Sequence, residues 1–366
     1  MNTNQIIINL QAITRNYLFL QKWAGPDVRL MAVVKSDAYG HGMVPVAHAL
    51  ASAGCAQFAV FDVSEGLKLR ENGFKQPVLI LKGPNLQNVE SIVEKDLIAA
   101  LYQIEMAQYL SQAAQKYGIH ANVQIKVDSG MNRLGVYPKD LNSFMDAIQK
   151  LPGLQVNGFI SHFAVADQPD DDYTKKQMDI FKEAIAPYAN LTSHIANSGG
   201  ITDQKGLDYP IARAGIAIYG SSPQWSLAKQ LEPCMTYQSE VIHVKTVPSG
   251  ETISYGRTFK TKQPTRVATI PVGYADGYSR MFSNKASVLI RGKRAPVIGR
   301  VCMNLMMVNV SHIDNVSFGD PVVLLGKQEN DCITADELAS YANTISYEIM
   351  CSLGACNHRI YRNKIS

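Results

Sequence analysis

The feature that most constrains the fold is an alternation of short apolar runs with helical patterns over roughly the first 220 residues. Helical spacing fills the first six gaps, at 44–53, 64–72, 86–94, 105–117, 139–150 and 172–188. Eight strand-like runs lie at 29–35, 57–61, 78–81, 97–101, 122–127, 156–162, 191–195 and 211–219. This count predicts an α/β chain with a (β/α)8 TIM-like barrel. A doubly wound sheet is the alternative, but no Gly-x-Gly-x-x-Gly follows the first strand.

The pattern changes after about residue 225, where short strand candidates are separated by Pro, Gly and Asn turns. These candidates lie at 240–247, 251–255, 266–272, 287–290, 295–301, 306–310 and 321–325. A late helix is predicted to open at Thr334, because Glu337 three residues later fits a capping box. We therefore predict a barrel over 11–228 and a mainly β C-terminal domain over 229–366, with a strand in residues 1–10 that pairs with the β domain.

Polar side chains follow the ends of five predicted barrel strands. They are Lys35 on the first strand, Lys126 and Asp128 on the fifth, Ser161 and His162 on the sixth, His194, Asn197 and Ser198 after the seventh, and Arg213 on the eighth. Each has an ordinary explanation when taken alone, such as a strand-end lysine that points to solvent. Because the carboxyl ends of barrel strands converge, we interpret them as one site. A half-sheltered lysine there can have a lowered pKa and act as an amine nucleophile or base.

Composition excludes several classes of function. The 366-residue chain has a net charge of +4 and no basic block, so neither nucleic acid nor an anionic membrane is an expected partner. Its apolar runs are too short to cross a bilayer, and its first residues lack the features of a signal peptide. Six cysteines and eight histidines show no metal-ligand spacing. We expect a soluble cytoplasmic protein with reduced thiols and no metal.

Two segments carry a resemblance to a known family. Residues 33–42, Val-Val-Lys-Ser-Asp-Ala-Tyr-Gly-His-Gly, resemble the pyridoxal phosphate attachment motif of alanine racemases. Residues 126–135 resemble the Lys-x-Asp-Thr-Gly-Met-x-Arg-Leu-Gly segment of that family, and further matches follow in family order at 162–167, 194–198, 213–220, 254–256, 273–277 and 299–303. The sequence is thus identified as a member of the alanine racemase family of fold-type III pyridoxal phosphate enzymes.

The resemblance implies an isomerase that interconverts L-alanine and D-alanine, either for D-alanine biosynthesis or for alanine breakdown. Racemisation needs a proton donor or acceptor on each face of the substrate carbanion. Lys35 would carry pyridoxal 5'-phosphate and serve one face, and Tyr255 from the second subunit of a homodimer would serve the other. His162 and Arg213 are the implied relay for Tyr255, and the active sites would lie at the subunit interface.

The resemblance also implies residues that bind the cofactor and the substrate. Arg133 and Met303 are implied for the substrate, and Tyr274 as a supporting residue. Lys126 matches a lysine that is carbamylated in many members of the family. The implied cofactor-binding residues are Lys35, Tyr39, His162, Asn197, Ser198, Arg213, Gly215 and Ile216.

Two departures from the family pattern leave the substrate open. Asn304 follows Met303 where the family usually has aspartate, and Ala355 stands where many members have a tyrosine that reaches the phosphate. Loss of the carboxylate at Asn304 would relax the choice of substrate side chain, and the small Ala355 would leave room in the pocket. A racemase of serine, lysine or several amino acids is therefore the alternative. A decarboxylase of the same fold lacks support, since no glycine triplet precedes the eighth strand. The β domain argues against a non-catalytic cofactor carrier built on a single barrel.

Overall fold

The structure is a computed structural model that describes residues 4–168, 172–222, 227 and 229–362. Strand β1 (Gln5–Asn9) and helix α1 (Leu10–Ala24) precede the barrel. The barrel strands are β2 (Arg29–Val33), β3 (Phe58–Val60), β4 (Val78–Ile80), β5 (Ile98–Leu101), β6 (Ala121–Lys126), β7 (Leu154–Ile160), β8 (Thr192–His194) and β9 (Ile211–Ala214). Between them lie α2 (Lys35–Tyr39), α3 (Met43–Ser52), α4 (Val63–Glu71), α5 (Val89–Glu94), α6 (Ile104–Tyr117), α7 (Leu141–Ile148), α8 (Tyr173–Ile185) and α9 (Ser198–Thr202).

The eight strands form a nearly closed parallel barrel, which confirms the predicted fold class. Their order is β8-β7-β6-β5-β4-β3-β2-β9, so the first and last barrel strands, β2 and β9, are neighbours. At the remaining gap the backbone N–H of Arg213 donates to the carbonyl of Ala196 at 3.0 Å. Strands β3, β4 and β9 are buried along their whole length, because barrel interior and helices cover both faces. This explains why β3 and β4 are apolar runs rather than alternating patterns, whereas β9 carries the buried Arg213.

Six of the eight barrel strands are shorter than their predicted ranges, and two of these end where the backbone turns. The run at 29–35 ends at Val33, because Lys35 begins a turn whose next four residues have positive φ. The run at 211–219 ends at Ala214, and Ile216–Tyr219 forms a 3-10 helix. Helix α1 was missed, although Asn9 caps it and its buried residues Ile13, Tyr17 and Leu20 have helical spacing.

The second half of the chain is mainly β, as predicted. Its elements are β10 (Met235–Glu240), β11 (His243–Val247), β12 (Thr252–Ile253), β13 (Phe259–Lys260), β14 (Thr265–Ile270), β15 (Ser287–Ile290), β16 (Lys293–Pro296), β17 (Met306–Asn309), β18 (Pro321–Gln328), β19 (Asp331–Ile333), α10 (Ala335–Ala342), α11 (Ser346–Cys356) and β20 (Arg359–Arg362). The strand predicted at 251–255 ends at Ile253, because Ser254 adopts a φ of 64° and starts a 3-10 turn.

One sheet joins the two ends of the chain. Its main order is β16-β15-β18-β10-β1-β20, with β1 antiparallel to β10 and parallel to β20. Strands β11, β14 and β17 form a second sheet. Thr334 caps α10 by accepting the N–H of Glu337 at 3.0 Å, where the sequence predicted the helix to open. Helix α11 and strand β20 were not predicted.

None of the helices in the described ranges has the length and apolar character needed to span a membrane. Over the same ranges no group of three or more His, Cys, Asp or Glu side chains is arranged to hold a metal ion. The cytoplasmic location expected from the sequence stays a prediction.

Candidate active site

A cavity of about 430 Å³ opens at the carboxyl ends of the barrel strands. This volume is within the range of small-molecule and cofactor sites. Nine of the residues predicted from the sequence line it, and they come from the beginning, the middle and the end of the barrel sequence. The lining residues are Val33, Lys35, Tyr39, Phe61, Leu81, Lys126, Arg133, Leu134, Ile160, His162, Asn197, Ser198, Arg213, Gly215 and Tyr347.

The cavity carries a concentrated positive charge. Lys35, Lys126, Arg133 and Arg213 all line it, and the described lining residues include no acidic side chain. Positive groups gathered in a cleft with apolar walls favour an anionic ligand. The arrangement therefore suits a small molecule with more than one negative group, such as a phosphate and a carboxylate.

Lys35 lies where β2 gives way to the turn of α2, and its amine is 6.0 Å from the ring centroid of Phe61. Burial lowers the pKa of this amine, and the positive charge of Arg133 lowers it further. Glu65 acts in the opposite direction but is the weaker influence. A lowered pKa increases the fraction of neutral amine at physiological pH, which is the form that acts as nucleophile or base.

Arg213 is fully enclosed at the end of β9. Its terminal nitrogen Nη2 donates to the carbonyls of Ser161 at 2.6 Å and Ile195 at 2.9 Å. Nη1 donates to Nδ1 of His194, and Nη2 to Nδ1 of His162 at 3.1 Å. Burial lowers the pKa of Arg213 to about 9, so the guanidinium stays protonated at neutral pH. These hydrogen bonds involve Nη1 and Nη2 of the guanidinium but not Nε.

The two histidines beside Arg213 are neutral. Burial lowers the pKa of both His162 and His194 well below the usual value, and the charge of Arg213 adds to the effect. Since Arg213 donates to Nδ1 of each ring, we place their protons on Nε2. Nε2 of His194 lies 2.8 Å from Oε1 of Gln124, a suitable acceptor. The imidazoles thus fix the guanidinium in place and do not add positive charge to the cavity.

Lys126 is buried at the end of β6. Burial lowers its pKa to about 7, and the charges of Arg213 and Arg133 contribute to the shift. Asp128 acts in the opposite direction and offsets this only in part; its Oδ1 also accepts the N–H groups of Gly130 and Asn132 at 3.0 Å each. A substantial fraction of the Lys126 amine is therefore neutral near pH 7.

The side chains of Ser198, Tyr39 and Asn197 meet on the side of the cavity that follows the carboxyl ends of β8 and β9. The hydroxyl of Ser198 accepts the N–H of Gly215 at 2.8 Å. A Cβ added at Gly215 would lie 2.7 Å from the Tyr39 hydroxyl, so glycine keeps this hydroxyl accessible. The side chain of Asn197 accepts the N–H of Gly200 at 3.0 Å and caps α9. The sites of phosphate binding in barrels follow these same last strands.

Four of the residues implied by the family resemblance do not line the cavity, and neither do the strand-end residues Asp128, Ser161 and His194. Ile216 is buried in the 3-10 helix after β9. Tyr255, Tyr274 and Met303 belong to the β domain, and their side chains are 71%, 44% and 57% exposed. Tyr274 and Met303 are adjacent, since the N–H of Ala275 donates to the Met303 carbonyl at 2.9 Å. A single chain does not bring these three side chains into its own cavity.

Tyr347 is a cavity residue that the sequence reasoning missed. It comes from α11, and its ring centroid lies 5.8 Å from that of Tyr39. The helical pattern of 346–356 was available in the sequence, but it does not reveal that this helix packs against the barrel opening. Asn304 and Ala355, the two departures from the family pattern, are both exposed and do not line the cavity of the described chain.

Comparisons with known proteins cover nearly the whole chain. The family model described as alanine racemase, N-terminal domain, matches residues 8–223, and that described as alanine racemase, C-terminal domain, matches residues 234–361. The chain is 41% identical over 365 residues to an alanine racemase of Syntrophobacter fumaroxidans, covering 98% of this chain and 97% of that protein.

Solved structures that resemble this chain over nearly its whole length are also alanine racemases. An alanine racemase of Bacillus anthracis with bound L-Ala-P superposes with a TM-score of 0.90 at 33% identity, covering 100% of this chain and 96% of that one. An alanine racemase of Bartonella henselae with covalently bound pyridoxal phosphate superposes with a TM-score of 0.91 at 29% identity, covering 99% and 100%.

Proposed function

This chain belongs to the alanine racemase family, and from that premise we propose that it interconverts L-alanine and D-alanine with pyridoxal 5'-phosphate as its cofactor. The observation that carries the proposal is the single cavity in which Lys35, Arg133, Arg213, Ser198 and Tyr39 meet. Relatives that match over nearly their full length at about 40% identity are named alanine racemases. The reaction class is an isomerisation in which one proton leaves and another returns at the same carbon.

The residues of the cavity fit this cofactor. Its phosphate would be held near Ser198, Tyr39 and Gly215, where two hydroxyls and a backbone N–H lie together. The Lys35 amine would hold it covalently, and Arg213 would donate to its ring nitrogen. When bound, the cofactor delocalises the charge left on the substrate α-carbon after deprotonation. Because the protonated guanidinium of Arg213 can donate a hydrogen bond but not accept one, it would favour an unprotonated, neutral ring nitrogen.

Two side chains would move the protons. Nζ of Lys35, with its lowered pKa, would accept or donate the α-proton on one face of the substrate. The hydroxyl of Tyr255 would do so on the other face. Arg133 would orient the substrate carboxylate by a charge-assisted hydrogen bond. The opposite placement of the two bases is what turns removal of a proton into inversion of configuration.

A homodimer would supply Tyr255. In the single chain the Tyr255 side chain is 71% exposed, together with Met303 at 57% and Tyr274 at 44%. Large apolar side chains exposed in a group mark interaction sites more often than isolated ones do. In such a dimer, these three side chains of each chain would face the cavity opening of the other chain. Two-fold symmetry would then complete both sites.

The substrate is tested by comparing initial rates with L-alanine, L-serine and L-lysine at saturating cofactor. We expect L-alanine to give the highest kcat/KM. One methylene contact in a pocket changes the ratio of kcat/KM between two substrates by only about 10–200-fold. Measurable side activity with L-serine is therefore compatible with the proposal. A clear preference for L-serine or L-lysine would contradict the assignment of alanine while leaving racemisation intact.

Lys126 is expected to carry a carbamate in the active enzyme. The neutral amine would attack CO2, forming an N–C bond and releasing one proton, and the product is an anion beside Arg133 and Arg213. This removes the repulsion of a buried Lys126 ammonium by Arg213 and Arg133. Intact-mass analysis in bicarbonate buffer should find the added mass of CO2, which Lys126→Met abolishes. An unmodified chain under conditions that preserve carbamates counts against the modification.

A further inference from the structure

The turn that joins Lys35 to Tyr39 has a backbone conformation that its residues disfavour. Ser36, Asp37, Ala38 and Tyr39 have φ values of 53°, 53°, 56° and 53°. This left-handed region suits glycine, and a run of four other residues in it is rare. Since Lys35 and Tyr39 both line the cavity, their relative placement depends on this turn. Such a conformation persists only where surrounding contacts enforce it.

Three side chains close to the turn hold parts of it. Oε1 of Glu65 accepts the N–H of Ser36 at 2.6 Å. Oδ1 of Asp37 accepts the N–H of Met43 at 2.8 Å, which ties the middle of the turn to the start of α3. Nδ1 of His41 lies 3.0 Å from the carbonyl of Ala38 and 3.1 Å from that of Tyr39. Each of these contacts is local in sequence or comes from helix α4, which follows the neighbouring barrel strand.

A fourth contact comes from the far end of the chain. Nη2 of Arg359, on β20, lies 2.6 Å from Oδ2 of Asp37, and its Nη1 donates to the carbonyl of Gly40 at 3.1 Å. The backbone of α11 also packs against this point, since a Cβ at Gly354 would lie 2.0 Å from the Gly40 carbonyl oxygen. Lys68, the other cation near Asp37, is 3.9 Å away and half-exposed. Arg359 is thus the closest cationic partner of the turn.

We propose that Asp37 and Arg359 are positioning residues whose ion pair lets the C-terminal strand hold the left-handed turn, and with it Lys35 and Tyr39, in register with the cavity. Neither residue is among those that line the cavity, so they would act through the turn. This inference rests on the proposed function, because it concerns how tightly the protein binds pyridoxal phosphate. It links the β sheet that joins both chain ends to the geometry of the barrel site.

The test compares Arg359→Met and Asp37→Asn with a matched control, Arg15→Met. Arg15 also forms a two-bonded ion pair between distant segments, with Glu232, but lies away from the turn. Two quantities are measured on the full chain: amide hydrogen exchange of the peptide spanning 35–43, with and without cofactor, and the rate at which holoenzyme releases pyridoxal phosphate. We expect both rates to rise about tenfold or more in the two turn variants, because each loses a charge-assisted hydrogen bond.

Further variants make the outcome decisive. Arg359→Lys should recover part of the loss, since it keeps the charge, and the double variant should be no worse than either single one. Rates equal to those of Arg15→Met, or losses that add in the double variant, would overturn the proposal. If Arg359→Met does not fold, Asp37→Asn and Arg359→Lys decide the question. A wild-type chain that binds no pyridoxal phosphate would refute the proposed function, whereas exchange at 35–43 would still report on the ion pair.

Discussion

Replacing Lys35 with alanine is expected to reduce alanine racemisation by at least about 1,000-fold, because one residue supplies both the covalent attachment of the cofactor and one of the two bases. A positioned general base alone contributes about 100- to 10,000-fold. The site supports this role physically, since burial and Arg133 lower the pKa of the Lys35 amine. The measurement is the rate of D-alanine formation from L-alanine at saturating cofactor, with absorbance of the protein recorded in parallel.

Two comparisons isolate the role of Lys35. Lys182→Ala removes an exposed lysine from α8 and should leave activity unchanged. Lys35→Arg keeps the positive charge but not a neutral nucleophile, so it should be as inactive as Lys35→Ala. A small exogenous amine should restore part of the activity to Lys35→Ala only. Activity near the wild-type level in Lys35→Ala would refute the assignment.

Replacing Tyr255 with phenylalanine is expected to abolish racemisation in both directions while the absorbance of bound cofactor persists. The change keeps the ring and removes the hydroxyl that would hold the proton on the second face. Removal of one proton by Lys35 should continue, so one enantiomer of alanine should still exchange its α-proton with solvent. Tyr137→Phe, another exposed tyrosine but on the barrel, is the matched control. Unaltered activity in Tyr255→Phe would rule out the two-base mechanism.

Mixing the two inactive variants tests whether the sites are shared. If Tyr255 serves the cavity of the other subunit, a dimer of one Lys35→Ala chain and one Tyr255→Phe chain contains one intact site and one site with both defects. Random exchange of subunits makes about half of the dimers mixed, so about a quarter of the wild-type activity should return. No recovery after demonstrated subunit exchange would place both bases within one chain.

The barrel could be predicted from the sequence because its signal is local. Each strand is a short apolar run, and helical patterns separate most runs, so the type and order of elements follow from periodicity. The convergence of Lys35, Lys126, His162 and Arg213 also followed, since parallel strands of a barrel bring their carboxyl ends together. Their roles came from the family resemblance and stay predictions.

Other features depend on contacts between distant segments. The left-handed turn after Lys35 could not be foreseen, because Ser36, Asp37 and Ala38 do not favour positive φ and are held there by Glu65 and Arg359. Strand β20 is defined by its pairing with β1 at the opposite end of the chain. The location of Tyr347 in the cavity likewise depends on how α11 packs, which no local pattern specifies.

The central claim is that Lys35 binds pyridoxal phosphate and that the loaded protein racemises alanine. The most direct measurement is the absorbance spectrum of the purified protein before and after borohydride reduction, followed by peptide mapping, with L-alanine turnover measured on the same sample. We predict visible absorbance that reduction removes, a reduced pyridoxyl group on Lys35, and conversion of L-alanine to an equal mixture of both enantiomers. A cofactor attached at another lysine, or a Lys35-bound cofactor without alanine turnover, would contradict this account.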